Sequence, residues 1–219
     1  MPQQSKVLLT GDSRGLGKEL YKLYKQRGCA VIGLNRSVCD LSSSDSVKSF
    51  AKSHKNTLFH TVILNAATVG LEYDDDYHNI WSNSCEKVLH INFLNQVRLV
   101  ESLLPNIQKN LIFITSRIAS FDRYQNQLTY DFSFRKLIYA STKVSLTHIT
   151  HYYAQTNKHL RVYSIAPGSL QNEFEGKHTV KNKTRIPLEE GAKNVLNVIE
   201  TSTKPSGSFL NYDGEIHVP

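Results

Sequence analysis

Residues 6–27 read KVLLTGDSRGLGKELYKLYKQR. A short apolar run (6–10) leads into three glycines, Gly11, Gly15 and Gly17, after which apolar residues recur at 16, 20, 23 and 24. The run suits a buried strand, and the spacing after it suits one face of a helix. Glycines at the junction allow a tight turn and a close approach of backbone to a pyrophosphate, which then rests on the free N–H groups of the helix start. The spacing is T-G-x-x-x-G-x-G rather than G-x-G-x-x-G, so a turn without a ligand remains open at this point.

The same alternation continues outward. CAVIGL (29–34) is a second buried-type strand, and SSDSVKSFAKSH (43–54) is a helix with serines and Asp45 available as caps. TVILNAA (61–67) is the next strand, and residues 84–104 form a long helix that stops near Pro105. LIFIT (111–115) is followed by a helix over 137–156, then the strand LRVYSIAPG (160–168). A helix over 187–200 and a strand in GSFLNY (207–212) complete the chain. Near-continuous apolar strands alternating with helices predict an α/β fold, a doubly wound parallel sheet of Rossmann type covered on both faces. Ligands of such sheets bind beyond the carboxyl ends of the strands. The loops after residues 10, 34, 65, 115 and 165 are therefore where chemistry is expected. Residues 117–136 make a connection of unusual length, and loops of that kind are usually functional.

At 219 residues the sequence suits one domain with a full core. No apolar run reaches the 18 or so residues a membrane span needs, and the run after MPQQSK is too short for a secretory signal. The expectation is a cytoplasmic protein. Three scattered cysteines, Cys29, Cys39 and Cys85, suit neither zinc nor a disulfide framework and read as thiols. The net charge of +7 is spread along the chain, and a diffuse positive surface that favours an anionic small ligand explains it as well as a nucleic-acid footprint does. The expected partner is a small molecule, with neither nucleic acid nor membrane. His90, His148 and His151 have no metal-like arrangement with carboxylates, and no metal site is expected.

Six stretches taken in order resemble the short-chain dehydrogenase/reductase family over nearly the whole length. TGDSRGLG is similar to its cofactor turn, LNAA (64–67) to its Asn-Ala-Gly motif, and HINFLNQVRLVESLLP to its helix carrying a catalytic asparagine, here Asn92. IFITSRIAS resembles the strand that delivers a catalytic serine, Ser116; YASTK matches Tyr-x-x-x-Lys, and IAPGSLQNEF matches the Pro-Gly motif beside the nicotinamide. The tail resembles small carbonyl-reductase-like members. For the cofactor the resemblance implies Gly11, Ser13, Arg14, Gly15, Leu16 and Gly17 in the turn, and Asp40 and Leu41 at the adenine. It further implies Asn65, Ala66 and Ala67 after the third strand, Tyr139 and Lys143, and Pro167, Gly168, Leu170 and Asn172 at the nicotinamide. It also implies a homodimer or homotetramer paired through the helices at 84–104 and 137–156.

An acid at the end of the second strand would accept bonds from the adenosine 2′-hydroxyl and repel a 2′-phosphate. The sequence has GLNRS there, with Asn35 and Arg36 and no acid, and Arg14 precedes Gly15. Guanidinium suits phosphate, so NADP(H) is expected over NAD(H).

Tyr139 and Lys143, four apart, share one helix face. An ammonium one turn from a phenol favours the phenolate and brings its pKa of about 10 toward working pH. Tyr21 and Lys25 repeat the spacing, remote from the expected cleft, and read as surface residues. By resemblance Ser116 binds the carbonyl oxygen, Lys143 reaches the nicotinamide ribose, and Asn92 positions a water in a proton relay. The expected activity is NADP(H)-dependent reduction of a ketone or aldehyde with Tyr139 as general acid. The alternative is a non-catalytic NADP(H)-binding regulatory or interaction protein on the same fold. Ala67 stands where glycine is usual and Asn172 where threonine is usual. The 23 residues from Ser116 to Tyr139 exceed the usual family spacing, and the extra segment is expected over the active-site mouth or at a subunit contact.

Overall fold

The computed structural model describes residues 4–69, 83–120, 134–171 and 185–217. Its strands are β1 (Lys6–Thr10), β2 (Ala30–Leu34), β3 (Phe59–Leu64), β4 (Ile107–Ile114), β5 (Arg161–Ala166) and β6 (Phe209–Asn211). They form one sheet in the order β2-β1-β3-β4-β5-β6, and every neighbouring pair is parallel. Its helices are α1 (Gly15–Gln26), α2 (Ser44–Ser53), α3 (Asn83–Leu89), α4 (Asn95–Leu103), α5 (Phe134–Thr156) and α6 (Leu188–Thr201). The doubly wound parallel sheet read from the sequence is the fold observed.

Alternation along each strand divides the core. Val7 and Leu9 point with Ile63, Ile112 and Ile165 toward α1 and α6. Leu8 points the other way, with Val62, Phe113 and Val162, toward α2, α4 and α5. Burial on both faces explains why the strands read as continuous apolar runs rather than alternating ones. At the centre of the second layer Phe113 of β4 stacks on Tyr153 of α5, with ring centroids 6.0 Å apart. The Tyr153 hydroxyl donates to Glu101 of α4 at 2.6 Å, which ties the two long helices together. Among the described residues no helix is long and apolar enough to cross a membrane.

Two boundaries differ from the sequence reading for physical reasons. β4 begins at Ile107 rather than at Leu111, because Gln108 and Lys109 are exposed where the strand leaves the core, and their polarity hid it. The helix expected over 84–104 is interrupted: a π-helical turn, His90–Leu94, separates α3 from α4. That widened turn carries Asn92, which is fully buried. The stretch 121–133, which holds most of the long connection before Tyr139, lies outside the described residues.

Strand order sets where a ligand goes. The chain leaves β1 through α1 to β2 on one side, then returns through α2 to β3 on the other. Successive connections therefore part between β1 and β3, and the crevice opens beyond their carboxyl ends.

Candidate active site

Asn65, the residue after β3, closes the bottom of that crevice. Its backbone N–H and that of Ala66 both donate to the Thr10 hydroxyl at 2.9 Å. Its side-chain amide donates to the carbonyls of Thr10 at 3.0 Å and Gly11 at 3.2 Å. The glycine turn is thus bonded to the neighbouring strand before any ligand arrives. Gly11 has φ of 73°, a left-handed conformation that glycine adopts without strain, and its N–H donates to the Leu34 carbonyl at 2.7 Å. Gly17 is needed for space: a Cβ there would lie 2.0 Å from the Gly11 carbonyl oxygen and 2.5 Å from the Asn65 amide nitrogen. The first turn of α1 has no acidic residue, and Arg14 at its N-cap makes no side-chain capping bond. An uncapped helix start beside a glycine turn fits the charge and shape of a pyrophosphate.

A cavity of about 690 Å³ runs from this turn across the strand ends. All six expected residues of the turn line it: Gly11, Ser13, Arg14, Gly15, Leu16 and Gly17. Toward the β2 edge it meets Asn35, Arg36, Asp40 and Leu41. Beyond β3 it meets Asn65, Ala66 and Ala67, and toward β4 and β5 it meets Tyr139, Lys143, Pro167 and Leu170. These residues come from five separate stretches of sequence and are brought to one cavity.

The charges at the β2 edge are organised. Asn35 uses its side-chain oxygen locally, accepting from the Ser37 N–H at 3.1 Å and hydroxyl at 2.6 Å. That turn leaves Arg36 exposed at the cavity rim. Burial raises the Asp40 pKa, but this is outweighed, and its carboxyl is held below the usual range. The lowering causes are the Ser42 N–H and hydroxyl, which donate to it at 2.8 and 2.7 Å, and the charges of Arg36 and Lys87.

At the other end Lys143 is buried, with 2% of its surface exposed. Its ammonium donates to the Ile114 carbonyl at 2.9 Å and lies 5.4 Å from the centroid of the Tyr139 ring. Burial pushes its pKa down to about 7. The helical spacing has brought the pair together inside the cavity. Tyr21, by contrast, packs against the core on α1 and Lys25 is exposed, so the second Tyr–Lys pair is a surface feature.

Three expected residues do not line the cavity. Asn92 is occupied: its side-chain oxygen accepts from the Thr68 N–H, and its amide donates to the Thr68 carbonyl, both at 2.8 Å, and to the Thr142 hydroxyl at 3.3 Å. Ser116 caps a 3₁₀ turn, Arg117–Ala119, accepting from the Ile118 N–H at 3.3 Å. Gly168 has φ of 83° and packs beneath the wall, where a Cβ would meet Ile186 at 2.8 Å and Tyr212 at 3.0 Å. Asn172 lies outside the described residues. Among the described residues no group of three His, Cys, Asp or Glu could hold a metal ion.

The cavity also takes residues that the sequence reading passed over. Lys87, Val88 and Ile91 face it from α3 and the π-helical turn, and Cys39 and Thr115 face it from the loops after β2 and β4. Val88 and Ile91, three apart, lie on one helix face, and that spacing was the available signal. Gln96, fully buried on α4, was missed as well. Its amide donates to the carbonyls of Ala66 at 2.6 Å, Ile91 at 3.0 Å and Asn92 at 3.1 Å.

Comparison with known proteins agrees with this fold. The family described as enoyl-(acyl carrier protein) reductase matches residues 3–195. An uncharacterized oxidoreductase of Saccharomyces cerevisiae, YIR035C, is 24% identical over 198 residues, covering 77% of this chain and 72% of the yeast protein. In fold the chain is similar to the NADPH-bound carbonyl reductase from chicken fatty liver, with a TM-score of 0.76 at 20% identity. That match covers 98% of this chain and 99% of the other. A carbonyl reductase from Pseudomonas aeruginosa PAO1 gives a TM-score of 0.77 at 18% identity, covering 98% and 100% of the two chains.

Gly17→Ala forces a methyl group against backbone, and should lower stability by about 1–3 kcal/mol, measured by chemical denaturation. Lys143 gives a pH signature. Between about pH 7 and its ordinary value of 10.5 the unfolded chain holds the lysine proton and the folded chain does not. Unfolding then takes up a proton, so this group's contribution to stability rises with pH across that window. The stability difference between wild type and Lys143→Met should shift in favour of wild type as pH rises from about 7 to about 10. A difference that stays flat would contradict the buried amine.

Proposed function

The chain belongs to the short-chain dehydrogenase/reductase family, and on that premise we propose that it is an NADP(H)-dependent oxidoreductase reducing a ketone or aldehyde to an alcohol. One observation carries the reading: a single cavity joins an uncapped glycine turn and Arg36 at one end to Tyr139 and Lys143 at the other. A pyrophosphate fits the glycine turn, and the cations Arg14 and Arg36 suit a 2′-phosphate. The chicken carbonyl reductase of similar fold is NADPH-bound, which supports the same choice.

Bound NADPH supplies a hydride to the carbonyl carbon. The chain's own residues manage the oxygen and its proton. Tyr139 protonates the oxygen as negative charge develops on it. Ser116, which follows the cavity residue Thr115 and caps the next turn with its oxygen, keeps a hydroxyl proton and is assigned by the family resemblance to hold that oxygen. Lys143, near neutrality in its titration, exchanges charge with the phenol: its ammonium stabilises the phenolate left after proton transfer. Asn92 acts through structure, fixing the Thr68 backbone and, through Thr142, the helix turn between Tyr139 and Lys143. The relay water assigned to Asn92 by resemblance would have to reach its backbone carbonyl, which the Gln96 amide already approaches.

The protein is read as cytoplasmic and as a homodimer or homotetramer. Support for assembly comes from exposed apolar side chains on the long helical segments, Leu94 on one and Leu137 and Tyr152 on the other.

NADPH consumption with a panel of ketones and aldehydes tests the activity. Tyr139→Phe should lower kcat at least about 100-fold while leaving NADPH binding intact, since a general acid contributes on that scale. Turnover that survives the substitution would remove the mechanism, and binding without turnover in wild type would favour a non-catalytic binder. Arg36→Asp should weaken NADPH and favour NADH; an unchanged preference would sink the cofactor assignment.

A further inference from the structure

We propose that Thr115 is a ligand-binding residue whose hydroxyl hydrogen-bonds the nicotinamide riboside half of the dinucleotide. The inference rests on the cofactor reading above. Thr115 follows β4 and is buried, with 2% of its surface exposed. Its backbone is settled, the N–H donating to the Ile165 carbonyl at 2.8 Å. Its hydroxyl has no hydrogen-bond partner among the described residues.

A buried hydroxyl without a partner costs stability, and folded proteins seldom keep one without a reason. Six other buried side-chain atoms among the described residues share that state, on Asp12, His90, Gln96, Asn110, Ser164 and Asn211. None of those residues lines the cavity; Thr115 does. That placement at the cavity wall sets Thr115 apart from the other six.

Position then selects the half of the ligand. Strand order puts β4 on the far side of the glycine turn from β2, so Thr115 lies away from Arg36 and Asp40. The neighbouring carbonyl, Ile114, holds Lys143, and the cavity wall here includes Tyr139. A hydroxyl can donate and accept at once, which matches both ribose hydroxyls and a carboxamide. Valine has nearly the same shape as threonine and would satisfy packing without the orphaned oxygen. Threonine at this place is therefore read as a concession to binding.

Thr115→Val separates the two roles. NADPH binding, followed by its fluorescence, and 2′,5′-ADP binding, followed by calorimetry, are compared in both proteins. NADPH should bind about tenfold more weakly to the variant, the loss of one hydrogen bond. The affinity for 2′,5′-ADP, which lacks the nicotinamide half, should be unchanged. The unliganded variant should melt at or above the wild-type temperature, and Thr115→Ser should restore NADPH affinity. Equal NADPH affinity in wild type and Thr115→Val would overturn the proposal. An equal loss for both ligands, or a lowered melting temperature that Thr115→Ser does not correct, would overturn it too. Absence of NADPH binding in wild type would instead remove the cofactor reading, and this proposal with it.

Discussion

The bond network of Asn65 is the constraint on which the site depends. Strands β1 and β3 end side by side, and their chains then part in opposite directions. The crevice that results would be filled by any loop free to relax into it. Asn65 prevents this by holding the Thr10 hydroxyl, the Thr10 carbonyl and the Gly11 carbonyl at once. The turn is therefore set in advance, and a ligand meets donors already aimed outward. Pre-organisation of this kind lowers the ordering cost of binding. Gly17 follows from the same constraint, because the Asn65 amide occupies the space where its Cβ would stand.

The opposite wall is held by a comparable device. Asn92, Asn95 and Gln96 are fully buried amides within one and a half helical turns. Asn92 grips the backbone of Thr68, Gln96 the carbonyl of Ala66, and Asn95 the carbonyl of Leu41 at 2.8 Å. Each of those three backbone segments lines the cavity. The π-helical turn belongs to this arrangement. The Gln96 amide bonds the carbonyls of two of its residues, Ile91 and Asn92. Polar residues on a buried helix face would be a defect in a plain core. Here each of the three holds a loop carbonyl that has no regular partner in sheet or helix, while the Gln96 side-chain oxygen has no partner among the described residues.

Much of this was legible in the sequence, and the reasons differ by element. β1, β3 and the glycine turn could be read because apolar runs and glycines report directly on burial and backbone geometry. Tyr139 and Lys143 could be read because four residues along a helix fixes their relative placement. The roles of Asn92, Asn95 and Gln96 were illegible. Their partners are backbone groups tens of residues away, and nothing local in HINFLNQ says which carbonyls it will meet. Thr115 was hidden for a related reason: within LIFIT it reads as the last residue of a strand. Only the assembled sheet shows that it lines the cavity and that its hydroxyl has no partner among the described residues. Lys87 and Cys39 likewise become cavity residues only when α3 comes to lie across from the loop after β2.

The charge on Lys143 links these walls to the chemistry. A lysine buried without a carboxylate partner is costly as an ammonium, and its pKa falls to about 7 in consequence. Its hydrogen-bond partner, the Ile114 carbonyl, offsets part of that cost, and the Tyr139 ring at 5.4 Å adds an electron-rich face. A ligand that brings hydroxyls or negative charge into the cavity would favour the ammonium and raise that pKa again. A phenolate at Tyr139 would do the same. Under the proposed mechanism, filling the cavity and moving a proton would therefore be coupled events. A lysine at its ordinary pKa would stay charged throughout working pH and could not respond to either. Burial, achieved by the same packing that makes α5 cover the sheet, is what gives the pair its range.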